Sequence, residues 1–534
     1  MAERLRTRAP EWAWAGVLFV ATLVAYLPAV SNGFIWDDQY YVTENVHLKS
    51  LDGLRQVWLV IGAVPQYYPM VHTSMWIEYR LFGLNPAGYH LDNILLHGFN
   101  AILFWRVLLR LRLPGAGLAA AIFALHPVCV ESVAWIAERK NVLSTFFYLS
   151  ASLVYFRYDP PEADADRQRD SALWGIAFAL FVLSLLSKTV TFSLPAALLL
   201  VYWLKRGRLS VRAVAPLLPF IAVGALFGYQ TSWIEQNIVG AVGDAWNLTP
   251  LDRVLVAGRA SWFYAAKLAW PADLSFNYVR WKIDAGAAWQ YLYPVSALLV
   301  ILLAWLARKR LGRGPLVAVL YFGGTLVPAL GFFDVFPLLY SFVADHFQYL
   351  ASLGPIALFA GSAAALTRKA PKPAVWLCAG LLLLSLGTLT WRQTQVYETP
   401  ITLWNDVLEK NPSSLLAHNN LGVRYQRIGD LKQAIWHARE VLNYYPEDEM
   451  GHFNLANYLY QRGDLRGAEA HYRKQIAVDP DHYQTRENLA YLLTQQGRRR
   501  AAAQEFEQAR RIDEHVQEML RQAMTPTPAS DATD

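Results

Sequence analysis

The chain is poor in cysteine and in charged residues. Its 534 residues include 2 Cys and 17% charged side chains, whereas 54% are hydrophobic. Two cysteines, Cys129 and Cys378, are too few for a disulfide framework or a cysteine-rich metal site. The scarcity of charge lies almost wholly in residues 12–391, which excludes a water-soluble protein over that range and predicts a polytopic membrane domain. The formal net charge of +6 is spread over the ends of apolar runs, so we expect no nucleic-acid partner.

About eleven apolar runs are long enough, or nearly so, to cross a bilayer. They lie at 12–30, 91–111, 115–130, 141–157, 172–187, 189–204, 213–230, 289–307, 315–331, 347–366 and 373–391. Basic clusters, such as those within 205–212 and 308–313, all fall on the cytoplasmic side if the chain begins there. This alternation requires the stretch 254–270, which carries Arg259 and Lys267, to lie at the outer interface as an amphipathic helix.

The C-terminal part has an internal repeat with a period of 34 residues. Residues at corresponding positions are Asn420, Asn454 and Asn488, then Gly429, Gly463 and Gly497, then Ala434, Ala468 and Ala502. This pattern is typical of tetratricopeptide repeats. We therefore predict an all-α protein with a membrane domain over 1–394, a tetratricopeptide α-solenoid over 395–522 outside the cytoplasm, and a disordered tail over 523–534.

The predicted outer loops collect the unusual polar residues. Asp37 and Asp38 form an adjacent acidic pair just beyond the first apolar run, and Lys188 lies between two apolar runs. Charges near lipid are costly, so such residues are commonly functional. Structural alternatives remain open: helix capping or loop solvation for the Asp pair, an ion pair for Lys188, and a helix cap for His126 before Pro127.

Taken together, these residues favour glycosyl transfer from a lipid phosphate. A carboxylate takes the proton of an attacking hydroxyl, and cations stabilise the departing phosphate. We assign the base to Asp37 or Asp38, with a slight preference for Asp38. Candidates for binding the donor phosphate and sugar are His126, Glu131, Arg139, Lys140, Lys188, Arg259 and His346; those on the acceptor side are His72, Glu78 and His90. No spacing defines metal ligands, so we assign no cofactor; a divalent cation on the Asp pair is the alternative.

Four segments also carry a family resemblance: 33–41, 67–100, 126–141 and 340–354, followed by the repeats. They resemble the transmembrane and tetratricopeptide-repeat-containing (TMTC) proteins and their bacterial relatives. The resemblance implies a GT-C-type membrane glycosyltransferase similar to protein O-mannosyltransferases, with a polyprenyl-phosphate-linked donor and a first-loop acidic base. Where many TMTC members have an arginine-bearing stretch, this chain has Asp345-His346-Phe347-Gln348, so a phosphate contact there would fall to His346.

We therefore expect a membrane glycosyltransferase that inverts the sugar. Mannose is the expected sugar, Ser or Thr of a protein the expected acceptor, and the repeats would hold that acceptor in the periplasm of a bacterial inner-membrane protein. The alternatives are a non-catalytic membrane anchor whose repeats scaffold an envelope complex, and a transporter for a lipid-linked sugar. Against transport, the two halves show no paired Gly- or Pro-broken segments.

Overall fold

The computed structural model describes residues 9–162, 169–241, 243 and 246–524, and within them it contains helices and no strand. The all-α prediction is confirmed for this part of the chain. The predicted disordered tail lies, from residue 525 onward, outside the described residues. The chain divides into two compact units, Met1–Leu403 and Trp404–Asp534.

The described part of the first unit consists of helices joined by loops and 3₁₀ turns, with short π-helices at Gln39–Thr43 and Glu235–Val239 and a longer non-helical stretch over 270–287. Its α-helices are Ala9–Ala25, Leu51–Leu59, Pro69–Phe82, Pro86–Arg110, Ala116–Leu125, Val130–Ala134, Arg139–Tyr158, Ser171–Leu185, Leu194–Arg206, Val211–Val214, Leu218–Ile234, Pro250–Ala269, Leu292–Ala307, Gly314–Leu326, Leu353–Leu366 and Lys372–Val396. A further helix, Pro400–Lys410, begins in this unit and ends in the second.

Three of the described helices are long and apolar enough to cross a membrane by length and composition. They are Val211–Val239, Ala288–Ala307 and Lys372–Val396, and a bent pair, Ala116–Leu125 with Pro127–Ala134, would add a fourth. Shorter apolar helices are Glu11–Ala25, Ser171–Leu185 and Gly314–Ala329. These findings indicate a membrane protein, while the count of about eleven crossings and the interfacial position of 254–270 stay predictions.

The bend of 55° in that helix pair determines where the site begins. Pro127 has no N–H to continue the helix ending at Leu125, and His126 takes an extended conformation with ψ of 125°. The ring Nδ1 of His126 accepts a bond from the Val128 N–H at 3.3 Å, so the predicted capping role is present. The chain then turns through two short helical segments to Glu138.

Two asparagines of the helix Pro86–Arg110 hydrogen-bond to the backbone that follows this bend. The Asn93 amide donates to the carbonyls of Val133 and Trp135, both at 3.2 Å, and the Asn100 amide donates to the Val142 carbonyl at 2.8 Å. Both asparagines are fully buried. A buried amide is costly unless it is bonded, so these contacts specify the position of the loop that carries the site.

The second unit consists of helix pairs that recur along the chain. The first helices are Leu415–Arg427, Glu449–Gln461 and Tyr483–Gln495, and the second are Leu431–Tyr444, Leu465–Val478 and Arg499–Met524. Gly429, Gly463 and Gly497 occupy the turn within each pair with φ between +76° and +87°, a conformation that favours glycine. Alanines at the predicted contact positions, Ala434 and Ala468 among them, are fully buried in the core of this unit.

Candidate active site

The acidic pair of the first loop follows a residue with unusual backbone geometry. Trp36 has φ of 36°, which is uncommon for a large side chain, and its ring stacks on Trp135 at a centroid distance of 5.7 Å. The stacking joins the first loop to the segment before Glu138. As a result, Asp38 is fully buried while Asp37 is only half-buried.

Asp38 uses both carboxyl oxygens in bonds to the backbone. Oδ2 accepts from the Ile35 N–H at 2.9 Å, and Oδ1 accepts from the Ala137 N–H at 2.8 Å. Burial raises the pKa of Asp38 to about 8, against the two N–H donors, which lower it. Asp38 therefore ties the first loop to the second, and its oxygens face protein groups.

Asp37 is in a different situation. Within the residues that the structure describes, no group donates a hydrogen bond to its side chain. Burial raises the pKa of Asp37, Lys140 and His346 lower it, and Glu138 raises it further. The Asp37 oxygens are therefore open to a substrate hydroxyl, whereas both oxygens of Asp38 are occupied; which of the two is the base stays a prediction.

Glu138 is the centre of a cluster of cations. Its carboxylate lies 2.9 Å from Lys140 Nζ, 3.2 Å from Lys188 Nζ and 3.8 Å from His346 Nε2, and it accepts a bond from the Asn141 amide at 2.6 Å. Burial would raise the pKa of Glu138, but the neighbouring cations lower it to about 2. A carboxylate with so low a pKa stays ionised and is a poor base.

His346 joins this cluster through a second carboxylate. Its ring Nδ1 lies 2.9 Å from Glu131, and its backbone N–H donates to the same carboxylate at 3.0 Å. Both side chains are buried. Of the candidates for the donor phosphate and sugar, the structure thus brings together Glu131, Lys140, Lys188 and His346.

The sequence indicated Lys140, Lys188 and His346 as candidates but not Glu138, the carboxylate that contacts all three. Glu138 and Asn141 were not predicted as site residues, although Glu138 stands beside Arg139 and Lys140 in the outer loop. Lys188 gave an indirect signal, because an ammonium between apolar runs requires an anionic partner. That partner is 50 residues away in the chain, which only the fold could show.

Arg139 and Glu78 form a separate buried ion pair. Two guanidinium nitrogens of Arg139 bond to the two oxygens of Glu78 at 2.9 and 2.8 Å, and Arg139 also pairs with Asp92 at 2.6 Å and contacts Asn93. Arg139 is fully buried and its donors are engaged. This pair links the first two loops; the expected roles, Arg139 at the phosphate and Glu78 on the acceptor side, stay predictions.

The remaining candidates have other partners, and His72 lies nearest the cluster, against the ring of Tyr41 that Lys140 also contacts. His72 and His90 are fully buried, and their expected place on the acceptor side stays a prediction. Burial lowers the pKa of His72 to about 3, and its ring stacks on Tyr41. The Nε2 of His126 bonds to the Leu268 carbonyl at 2.9 Å, and Arg259 lies over the ring of Trp281.

An apolar cavity of about 490 Å³ lies among the helices of the first unit. Its walls come from Pro250–Ala269, Leu292–Ala307, Gly314–Leu326, Leu353–Leu366 and Lys372–Val396, and His126 is one of its few polar lining residues. Such a cavity suits an apolar chain or ring rather than a free sugar.

No group of three or more His, Cys, Asp or Glu side chains in the described residues has an arrangement that could hold a metal ion. Asp37 and Asp38 have different surroundings, because both oxygens of Asp38 accept from backbone N–H groups and the Asp37 side chain does not. Among the described residues no third such side chain joins Asp37 and Asp38, and a divalent cation at this pair stays an untested alternative.

Histidine pairs occupy equivalent places in the first two repeats. His418 and His437 approach through their Nδ1 atoms at 3.0 Å, and His452 and His471 do so at 3.1 Å. At the corresponding positions of the third repeat, Arg486 and Glu505 form an ion pair. Each pair thus joins the two helices of its repeat.

Comparisons with known proteins support the resemblance drawn from the sequence. A protein O-mannosyl-transferase of Caenorhabditis elegans is 24% identical over 76% of this chain and 59% of its own length. The protein O-mannosyl-transferase TMTC4 of Mus musculus is 24% identical over 80% of this chain and 66% of its own. The chain thus spans about three fifths to two thirds of the relatives it matches. The similarity to TMTC proteins is confirmed at the level of sequence.

Two further comparisons complete these findings. No family model matches the chain. The solved structure of ArnT from Cupriavidus metallidurans bound to undecaprenyl phosphate aligns with a TM-score of 0.37 and 15% identity, covering 88% of this chain and 80% of that one.

Proposed function

We propose that this chain is a GT-C-type membrane glycosyltransferase that moves a sugar from a polyprenyl-phosphate donor to a hydroxyl group, with inversion. The observation that carries the proposal is the half-buried carboxylate of Asp37 beside a cluster of Lys140, Lys188 and His346 around Glu138. Inverting transfer needs one base for the acceptor and cations for the leaving phosphate, and this site contains both.

Asp37 is the proposed base. The acceptor oxygen forms a bond to the anomeric carbon and gives its proton to the Asp37 carboxylate, while the bond from that carbon to the phosphate oxygen breaks. Burial raises the pKa of Asp37, which strengthens it as a base compared with an exposed carboxylate. Asp38 supports the same loop through its two backbone bonds.

Lys140 and Lys188 are the proposed phosphate ligands. When the sugar leaves, its bonding electrons stay on the phosphate, which gains one negative charge, and two ammonium groups stabilise that charge. An ammonium has three donors. Lys188 donates to Glu138 and Asn141, so its third donor can reach a ligand oxygen. Burial lowers the pKa of Lys188 to about 8, so it is still charged at neutral pH.

The apolar cavity supports a lipid-linked donor over a nucleotide sugar. Aromatic and aliphatic side chains such as Trp262, Phe322 and Phe359 line it, and they suit the hydrocarbon of a polyprenyl chain. Because the relatives are protein O-mannosyl-transferases, we further propose that mannose is the sugar and Ser or Thr of a protein the acceptor. The repeats would present that protein in the periplasm.

A transfer assay tests the proposal. Purified protein in detergent receives radiolabelled polyprenyl-phosphate mannose together with periplasmic protein extract or a lipid fraction. The unaltered chain is compared with Asp37→Asn and with Asp52→Asn, which removes an exposed carboxylate of the same loop. Transfer by the unaltered chain and by Asp52→Asn, but not by folded Asp37→Asn, is expected. Equal transfer by Asp37→Asn would refute its role, and no transfer to any acceptor would favour the scaffold alternative.

A further inference from the structure

We infer that Glu138 is the positioning residue of the donor-phosphate site: it holds Lys140 and Lys188 as a charged pair directed at one ligand. This inference rests on the proposed function, since it concerns how the same site binds its phosphate. Glu138 does not itself act as a ligand, because a carboxylate repels a phosphate.

The geometry places one carboxylate between two ammonium groups. Oε1 lies 2.9 Å from Lys140 Nζ, and Oε2 lies 3.2 Å from Lys188 Nζ. Glu138 is 1% exposed, so it cannot exchange these partners for water. Asn141 bonds to both members of the Glu138–Lys188 pair: its amide nitrogen donates to Glu138 at 2.6 Å, and its oxygen accepts from Lys188 at 2.8 Å.

The two lysines would not stay charged together without an acid between them. Lys140 and Lys188 are about one tenth exposed at their side chains, and each ammonium disfavours the other in such a site. Lys140 lowers the pKa of Lys188, and Glu138 raises it. The other titratable groups that face the cluster are Asp37, Tyr41, Glu131 and His346.

These opposing effects predict what the loss of the acid would do. Glu138→Gln keeps the size but removes the negative charge, and its NH₂ group replaces one of the two acceptor oxygens. The mutual repulsion of Lys140 and Lys188 is then uncompensated, and one of them gives up its proton near neutral pH. The site keeps one cation for the phosphate instead of two. Glu138→Asp keeps the charge but shortens the reach, so it weakens binding without changing the proton affinity of the lysines to the same extent.

The experiment measures binding to the full chain in detergent against pH. The probes are polyprenyl phosphate and the matching uncharged polyprenol, titrated from about pH 6 to about pH 9. The variants are Glu138→Gln, Glu138→Asp and Glu235→Gln. Glu235 is a matched control, because it is buried like Glu138. Its carboxylate accepts from the Gln66 amide and the Phe336 N–H rather than from a lysine. Amine labelling of Lys140 and Lys188, read by mass spectrometry, reports their protonation directly.

We expect the unaltered chain to prefer the phosphate to the polyprenol and to lose part of that preference above about pH 8, where Lys188 gives up its proton and Lys140 keeps its own. In Glu138→Gln the midpoint should move to lower pH by about one unit, with about tenfold weaker phosphate binding at neutral pH. Amine labelling should increase in parallel. Glu138→Asp and Glu235→Gln should keep the midpoint of the unaltered chain.

Two results would overturn the inference in distinguishable ways. If the unaltered chain prefers the phosphate but Glu138→Gln keeps the same midpoint and labelling, Glu138 does not control the lysines and the proposed function stands. If the unaltered chain binds polyprenol as tightly as polyprenyl phosphate, the phosphate site and the proposed function both fail. A merely structural role for Glu138 would reduce the folded fraction without moving the midpoint.

Discussion

Replacing each aspartate of the first-loop pair by asparagine should separate a catalytic role from a structural one. Asp37→Asn changes a half-buried side chain that receives no hydrogen bond within the described residues. Its effect on the free energy of unfolding should stay below about 1 kcal/mol, because the substitution breaks no hydrogen bond of the carboxylate. Its effect on transfer should be large, because loss of a general base costs about 10²- to 10⁴-fold in kcat.

Asp38→Asn should show the opposite pattern. Both carboxyl oxygens of Asp38 accept from backbone N–H groups, and even a protonated carboxyl keeps a lone pair on each oxygen. An asparagine offers one acceptor, so its NH₂ group would face either the Ile35 or the Ala137 N–H. A buried donor left without a partner costs about 1–3 kcal/mol.

The assay combines thermal unfolding with transfer per folded molecule. Each variant is purified in the same detergent, its unfolding is followed by intrinsic tryptophan fluorescence, and transfer is normalised to the folded fraction. We expect Asp37→Asn to unfold like the unaltered chain and to be nearly inactive. Asp38→Asn should unfold at a lower temperature and keep much more activity per folded molecule. If Asp38→Asn is stable and inactive while Asp37→Asn remains active, our assignment of the base is wrong.

Three further predictions follow from the charged groups. The rate of transfer should be bell-shaped in pH, because Asp37 must be ionised above its raised pKa and Lys188 protonated below about pH 8; a flat profile would contradict both roles. The histidine pairs should make the first two repeats sensitive to acid. Mainly burial lowers the pKa of His437 and His471 to about 4, below the unfolded value of about 6.5. The stability that is fully present above about pH 6.5 is therefore lost as pH falls towards 4. Hydrogen exchange should show a loss of about 2 kcal/mol there by pH 4, and less in the third repeat, where an Arg–Glu pair takes the equivalent places. Arg139→Met should destabilise the chain by about 3–5 kcal/mol in thermal unfolding, because a buried carboxylate loses its partner; an unchanged unfolding temperature would refute the structural role of this pair.

The linear pattern of residues was enough to predict what depends on local composition and periodicity. Apolar runs reveal membrane helices because lipid cannot solvate backbone or charge, and a 34-residue period reveals helix pairs because each pair must bury the same small residues. The adjacent Asp37 and Asp38 and the isolated Lys188 were visible for the same reason, since charge beside lipid is costly wherever it occurs. A resemblance to TMTC proteins could be drawn from four segments and the repeats.

Only the tertiary structure decided which of these residues work together. Asp37 and Asp38 are chemically identical in the sequence, and they differ because the fold brings the Ala137 N–H to one of them. Arg139 and Lys140 are neighbours in the sequence, yet they point into different networks because successive residues of a helix face different sides. The partner of each buried charge depends on distance in the folded structure. For Lys188 that partner is Glu138, 50 residues earlier in the chain.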